Sequence, residues 1–259
     1  MPELPDLEVF AANLERRFKN KKLARLDVVV DKKLNVSTKE VKEKLTGQTV
    51  KAVKREGKTL QLHFSNDNVL GLHLMLHGRL QDVTETTDLK HAIIVLLFEG
   101  GNAFALTDFQ KAATPTLNPQ QSTIPDALSD QMTESYLQEK LAKKKTPIKT
   151  VLMDQHTIRG IGNTYADEIL WEARISPMST SKAIPVTKVR ELHQVIRKLL
   201  KQEIAHIRKM LPNELGGEIK DFLKIHGPRI VASPTGKKIM VNEVGGRKTY
   251  YTEEQELFQ

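Results

Sequence analysis

AKKKTPIKTVLMDQHTIRGIGNTYADEILWEARISP, residues 142–177, is the stretch from which the fold of this chain is read. Thr146 followed by Pro147 is a helix start: a capping hydroxyl, then the residue whose fixed φ suits a first helical turn. It leads into IKTVLMD. Arg159-Gly160-Ile161-Gly162-Asn163 interrupts the pattern, since two glycines in five residues mark a loop, and TYADEILWEA resumes it. The result is helix, glycine loop, helix. Gly160 and Gly162 would let backbone amides approach a phosphate, and a helix beginning near Thr164 offers a positive dipole end. Read alone, the same segment is equally an ordinary tight connection between helices.

Outward from there, residues 186–211 carry Val189, Leu192, Val195, Ile196, Leu199, Ile204 and Ile207 on one side of a long predicted helix. KKIMVNEV and RKTYYTEE flank Gly245-Gly246, a β-hairpin signal. Toward the N-terminus, residues 112–130 are rich in Thr, Pro, Gln, Asn and Ser and read as a linker. From about 24 to 107 the period is that of strands: ARLDVVV, TVKAVKR, TLQLHF, VLGLHLML and AIIVLLF. Leu7, Phe10, Leu14 and Phe18 give an amphipathic helix over 5–18, with Pro5 and Asp6 at its start. The expected class is α+β, with an antiparallel β-sandwich or barrel in the N-terminal half and helices and a terminal hairpin in the second half. Trp171 and the Met75–Leu76 pair are read as core.

The chain has 259 residues, 39% apolar and 28% charged, an ordinary globular balance. No apolar run approaches the ~18–20 residues a membrane span requires, and MPELPDLEVF does not read as a signal peptide. A soluble, cytoplasmic protein is expected. With no cysteine there is no disulfide, no thiol nucleophile and no thiolate-held zinc. His73 and His77 stand four apart on a predicted strand without a carboxylate partner, which is not a metal-site spacing. Lys plus Arg number 40 against 32 acids, a net +8. That surplus suits a polyanion as much as mere solubility.

At the N-terminus, removal of Met1 would make Pro2 a secondary amine. An α-amino group titrates near ~8, so part of it is neutral and nucleophilic at neutral pH. Its attack on a sugar aldehyde carbon gives an iminium ion that acidifies the neighbouring C–H and permits loss of phosphate, and the adjacent Glu3 is placed to move protons. Taken alone, these are equally a proline that begins an ordered chain and a glutamate in solvent.

MPELPDLEVF resembles the N-terminal signature of the formamidopyrimidine-DNA glycosylase/endonuclease VIII family. REGKTLQLHF at 55–64, the 142–177 stretch and GGRKTYY at 245–251 match the same family in the same order. The resemblance implies an N-terminal catalytic β-sandwich at 1–114, a linker at 115–130, a helix-two-turns-helix domain at 131–226 and a β-hairpin finger at 227–259. It implies that Pro2 attacks C1′ of the damaged nucleoside, Glu3 protonates the deoxyribose ring oxygen and Lys58, at a hairpin tip, contacts phosphate beside the lesion. Asn163 would bind phosphates, with Gly162 in its loop, and Arg247 would enter the DNA. Lys143 is either a phosphate contact or, with Lys144 and Lys145, a solvated face.

The sequence also departs from the family. Thr252 and Gln255 stand where finger cysteines would be, so the finger resembles the zincless variant, closed by packing in which Tyr250 and Tyr251 take part. In HLMLHG, Leu76 holds the place of the methionine that fills the gap left by the extruded nucleotide. In TDFQKAA, Gln110 or Lys111 and Ala112 stand in for its arginine and phenylalanine. The stretch after KDFL is short, and Asp6 replaces a glutamate. A standard 8-oxoguanine specificity is therefore not expected. The expected protein is a monomeric, nucleoid-associated base-excision-repair glycosylase with β,δ-elimination abasic-site lyase activity, acting on damaged double-stranded DNA without metal or cofactor. The alternative is a catalytically weak damage-binding protein on the same scaffold. An RNA-binding module would need stacking aromatics on a sheet, and aromatics are 5% of the chain and unclustered.

Overall fold

In the first of two compact units, residues 1–121 and 206–218, the fold follows from one buried helix face and two alternating sheets; the second comprises 122–205 and 219–259. The computed structural model describes residues 1–84, 89–216 and 222–259.

Helix α1 (Leu4–Phe18) starts with a capping box between Glu3 and Asp6 and has Pro5 in its first turn. Leu7, Phe10, Leu14 and Phe18 are buried, as their spacing requires. Next come β1 (Leu23–Val28), α2 (Thr38–Leu45), β2 (Val50–Glu56), β3 (Thr59–Phe64), β4 (Val69–His73), β5 (Arg79–Asp82), β6 (Ala92–Phe98), β7 (Ala103–Thr107) and β8 (Thr114–Leu117). They form two four-stranded sheets, β1-β6-β7-β5 and β2-β3-β4-β8, with antiparallel pairing throughout. In β3 strict alternation turns Leu60, Leu62 and Phe64 inward. The central strand β6 is buried nearly throughout: Ile94, Leu96 and Phe98 join the main core, while Ala92 and Val95 pack with Ala105 in a smaller cluster. Phe18 packs on Phe98 and Phe104 at 4.7 and 5.0 Å between ring centroids.

Three features differ from the sequence reading. Helix α2 was not anticipated; it is two turns long, capped by Ser37, and buries only Val41 and Leu45. Strand β8 lies inside the stretch read as linker, and Pro115 is tolerated because β8 is an edge strand pairing only with β4. Finally, β4 ends at His73. Met75 has φ +55°, which turns the chain out of the sheet, so Met75 and Leu76 are not core: they are 38% and 57% exposed.

The second unit holds α3 (Glu134–Ala142), α4 (Ile148–Met153), α5 (Asn163–Glu172), most of α6 (Val186–Met210) and the hairpin β9 (Met240–Val244) and β10 (Arg247–Tyr251). Thr133, not Thr146, supplies a side-chain cap; Pro147 itself stands at the N-cap of α4. Trp171 is core, packed with Ile225, Ile239 and Tyr250. Of the KDFL segment, Lys220 and Asp221 lie outside the described residues. Among the described residues no helix is long and apolar enough to cross a membrane.

Candidate active site and nucleic-acid contacts

Pro2 and Glu3 immediately precede α1 and are both buried, Glu3 to 3% exposure. The Glu3 N–H donates to Asp6 Oδ2 at 2.9 Å, and the Glu3 carboxylate accepts the Asp6 N–H in return. The carboxylate is thus fixed one residue from Pro2, at the positive end of the helix. With Met1 attached, the Pro2 nitrogen is an amide and not a nucleophile.

Lys58 occupies the two-residue turn between β2 and β3, after Gly57 at φ +58°. The turn is tied to α1 by a residue the sequence did not flag. Arg55, its side chain 6% exposed, donates from Nε to Glu8 Oε2 at 2.8 Å and from Nη1 to the Gly57 carbonyl at 3.0 Å. One guanidinium therefore sets the lysine-bearing turn against the helix that carries Pro2 and Glu3. Burial, and secondarily the charge of Lys58, lowers the pKa of His73. The neutral ring accepts the Met75 N–H at Nδ1, 3.1 Å away, which holds the turn presenting Leu76.

In the second unit, Gly162 is the N-cap of α5 with an extended backbone, and Asn163 is its first residue. Gly160, at φ +101°, donates its N–H to Gln155 Oε1 at 3.0 Å; that amide is committed within the loop and is not offered to a phosphate. Asn163 Nδ2 donates to the Lys248 carbonyl at 3.1 Å, which ties the loop to β10 beside Arg247. Arg247 itself is exposed, next to the tip formed by Gly245 and Gly246 at φ +58° and +72°. Lys143 ends α3, exposed and paired with Glu139 at 2.7 Å.

Next to the Lys248 carbonyl that Asn163 bonds lies a charged core that sequence patterning also missed. Lys149 and Asp167, both fully buried, pair at 2.8 Å. Lys149 Nζ also donates to Thr249 Oγ1 at 2.8 Å and to the Lys248 carbonyl at 3.1 Å. Asp167 Oδ2 accepts the Tyr250 N–H at 3.0 Å and meets His226 Nδ1 at 2.7 Å. Next to Asp167, Glu168 accepts the N–H groups of Lys224, Ile225 and His226. Burial, reinforced by the charge of Glu168, raises Glu203 to about 7.

The far end of the hairpin closes around Glu254. Its carboxylate accepts from Trp171 Nε1, Ser233 Oγ, Thr252 Oγ1 and Thr235 Oγ1 and pairs with Arg174 at 2.8 Å. Burial opposes its charge, but the bonds from Thr235, Trp171 and Thr252 and the Arg174 charge outweigh this and hold it at about 2. Gln255 accepts the Thr252 N–H and donates to the Ile175 carbonyl. A hydrogen-bonded hub thus stands where the sequence had suggested packing alone. Among the described residues no three His, Asp or Glu side chains gather to hold a metal ion.

The chain's relatives share this architecture. The formamidopyrimidine-DNA glycosylase N-terminal domain matches residues 1–114, and the H2TH domain of the same enzymes matches 124–211. The chain is 32% identical to a formamidopyrimidine-DNA glycosylase of Chloroflexus aurantiacus, over 84% of this chain and 81% of that protein. It is 31% identical to that of Carboxydothermus hydrogenoformans, over 97% and 98%. A crystal structure of Lactococcus lactis Fpg with DNA containing an abasic site superposes with a TM-score of 0.88 at 25% identity, covering 98% of this chain and all of that one. Another, of Lactococcus lactis Fpg with FAPY-dG-containing DNA, gives 0.86 at 25% identity, covering 96% and 98%. Sequence identity along nearly the whole length, with family models matching residues 1–114 and 124–211, makes this chain a member of the formamidopyrimidine-DNA glycosylase family.

Proposed function

We propose that this base-excision-repair DNA glycosylase acts through the secondary amine of Pro2, freed by removal of Met1. The amine lone pair forms a bond to C1′ of a damaged nucleoside as the bond from C1′ to the base breaks, and the departing base takes the bonding electrons and the proton that the nitrogen sheds. Glu3 gives a proton to the ring oxygen, the sugar opens and an iminium ion results. Loss of a C2′ proton then expels the 3′ phosphate, and a further elimination expels the 5′ phosphate. Lys58 neutralises a phosphate beside the lesion, and Leu76 fills space left by the extruded nucleotide. Residues 131–226, through Asn163, Gly162 and Lys143, and the hairpin at 227–259, through Arg247, grip the DNA; the stretch read as a linker at 115–130, whose first residues pair with β4 as β8, joins them to the catalytic segment at 1–114. The protein works as a monomer at the nucleoid. Without an arginine at Gln110 or Lys111, a standard 8-oxoguanine specificity is not expected, which leaves oxidised pyrimidines, formamidopyrimidines, further-oxidised guanines or single-stranded lesions as substrates.

The observation that carries this reading is the fixed, buried carboxylate of Glu3 beside Pro2, on the helix to which Arg55 ties the Lys58 turn. Borohydride trapping on abasic-site duplex DNA tests it. Protein beginning at Pro2 is expected to form a covalent adduct that Pro2→Gly or an N-terminal tag abolishes. No adduct from protein verified to begin at Pro2 refutes the lyase mechanism and favours a damage-binding protein.

A further inference from the structure

The terminal hairpin has two faces, and the proposed chemistry uses one of them. Side chains alternate along β10. Thr249, bonded to Lys149 on α4, shares its face with Arg247; Lys248 and Tyr250 share the other with their cross-strand partners Glu243 and Val241. On that second face lies a groove of about 370 Å³, lined by Ile230, Val231, Ile239 and Val241 together with Lys238 and Lys248. Val231 is 79% exposed, the most of any large apolar side chain among the described residues, and Val241 is 57% exposed. The walls are held in place: Val231 accepts the Ile239 N–H at 3.1 Å, Gly227 accepts the Ile230 N–H at 3.2 Å, and Ser233 donates to the Lys237 carbonyl at 2.8 Å. Lys237 pairs with Glu253 at 2.9 Å. Lys238, Lys248 and the exposed Arg229 have no carboxylate partner among the described residues.

An apolar trough bordered by cations has the anatomy of a protein-binding site, an apolar centre within a polar rim, and its charge selects an acidic partner. A nucleobase fits it poorly. The aromatic ring among the lining residues, Tyr250, is 6% exposed and meets His226 edge to face at 4.9 Å, so it offers no open π-face for stacking. We infer that this groove docks an acidic peptide of a partner protein, with large apolar side chains seated on Val231 and Val241 and flanking carboxylates paired with Lys238 and Lys248. Because Arg247 belongs to the opposite face, this peptide and the DNA proposed to meet Arg247 bind the hairpin at the same time.

The test is fluorescence anisotropy of the full chain with a labelled peptide of alternating Asp and Leu, beside peptides of alternating Lys and Leu and of Asp alone. The Asp–Leu peptide is expected to bind, more weakly as salt rises, and the other two are not. Val231→Asp combined with Val241→Asp should keep the wild-type melting temperature, since both side chains are exposed. It should weaken binding about tenfold or more, as loss of a central apolar contact does. Lys238→Glu combined with Lys248→Glu should pass the preference to the Lys–Leu peptide. No binding of the Asp–Leu peptide, equal binding of Asp alone, or no loss in the valine variant overturns the proposal. Displacement of the bound peptide by abasic-site duplex also overturns it and assigns the groove to nucleic acid. A wild-type dimer in sedimentation that the valine variant dissolves overturns it in favour of a second copy of this chain.

Discussion

Around Phe18, Phe98 and Phe104 the first unit is closed by hydrocarbon, whereas around Lys149 and Asp167 the second is closed by a buried ion pair and the hydrogen bonds that surround it. Hydrocarbon contacts are non-directional, so a sandwich core fixes which faces meet more tightly than it fixes angles. The ionic core is directional. Lys149 on α4 and Asp167 on α5 between them hold three consecutive residues of β10, Lys248, Thr249 and Tyr250. Together they set the register of the strand that begins with Arg247 against the loop bearing Asn163. The region proposed to grip phosphate is thus the one whose core specifies position.

The largest expected effects would break this contrast. Asp167→Ala strands the Lys149 charge and should destabilise the second unit by about 3–5 kcal/mol; Phe104→Ala, opening a cavity, should cost the first unit about 3–5 kcal/mol. The two differ in repair: Lys149→Met combined with Asp167→Leu should cost far less than the sum of the single changes. Additive losses in chemical denaturation would show that the charges do not act as a unit. A smaller effect is expected from Glu254→Gln, which removes the acceptor charge facing Arg174 and four donors. Its melting temperature should fall, while a chelator should leave the wild type unchanged; a drop on chelation would mean that a metal closes the hairpin.

The pH dependence sharpens the comparison further. Glu203, raised to about 7 from 4.5 by burial and by Glu168, binds a proton more tightly in the native state than in the unfolded one. Its contribution is therefore present in full below about pH 4.5 and is lost as pH rises through about 7. Second-unit stability should fall between pH 5 and 8, and Glu203→Gln should flatten that slope; an unchanged slope would refute the assignment. Smallest of all, Lys143→Ala breaks an exposed pair with Glu139 and should leave the melting temperature unmoved while weakening DNA binding.

Much of this molecule is legible in its sequence where local pattern decides. The period of Leu7, Phe10, Leu14 and Phe18 gives α1, alternation gives β3, and Gly245-Gly246 gives the hairpin. Short elements escape: α2 buries two side chains and β8 shows its strand character only through pairing with β4. Met75 misleads because an apolar residue after VLGLHL continues the strand pattern, and nothing local announces its positive φ. Motifs mark Pro2, Glu3, Lys58, Asn163 and Arg247, but not the residues that hold them. Arg55, Lys149, Asp167 and Glu254 look like solvated charges until distant segments fold around them, with partners 47, 99, 83 and 83 residues away in sequence.

The hub around Glu254 carries a consequence for the conditions under which such an enzyme is needed. The oxidants that damage DNA bases also attack thiolates, converting them stepwise to sulfenic and higher acids that no longer ligate as thiolates. A hairpin closed by a carboxylate, three hydroxyls, an indole N–H, a guanidinium and a primary amide has no thiolate for peroxide to consume. The hairpin that bears Arg247 therefore keeps its scaffold during the same oxidative episode that creates the enzyme's work.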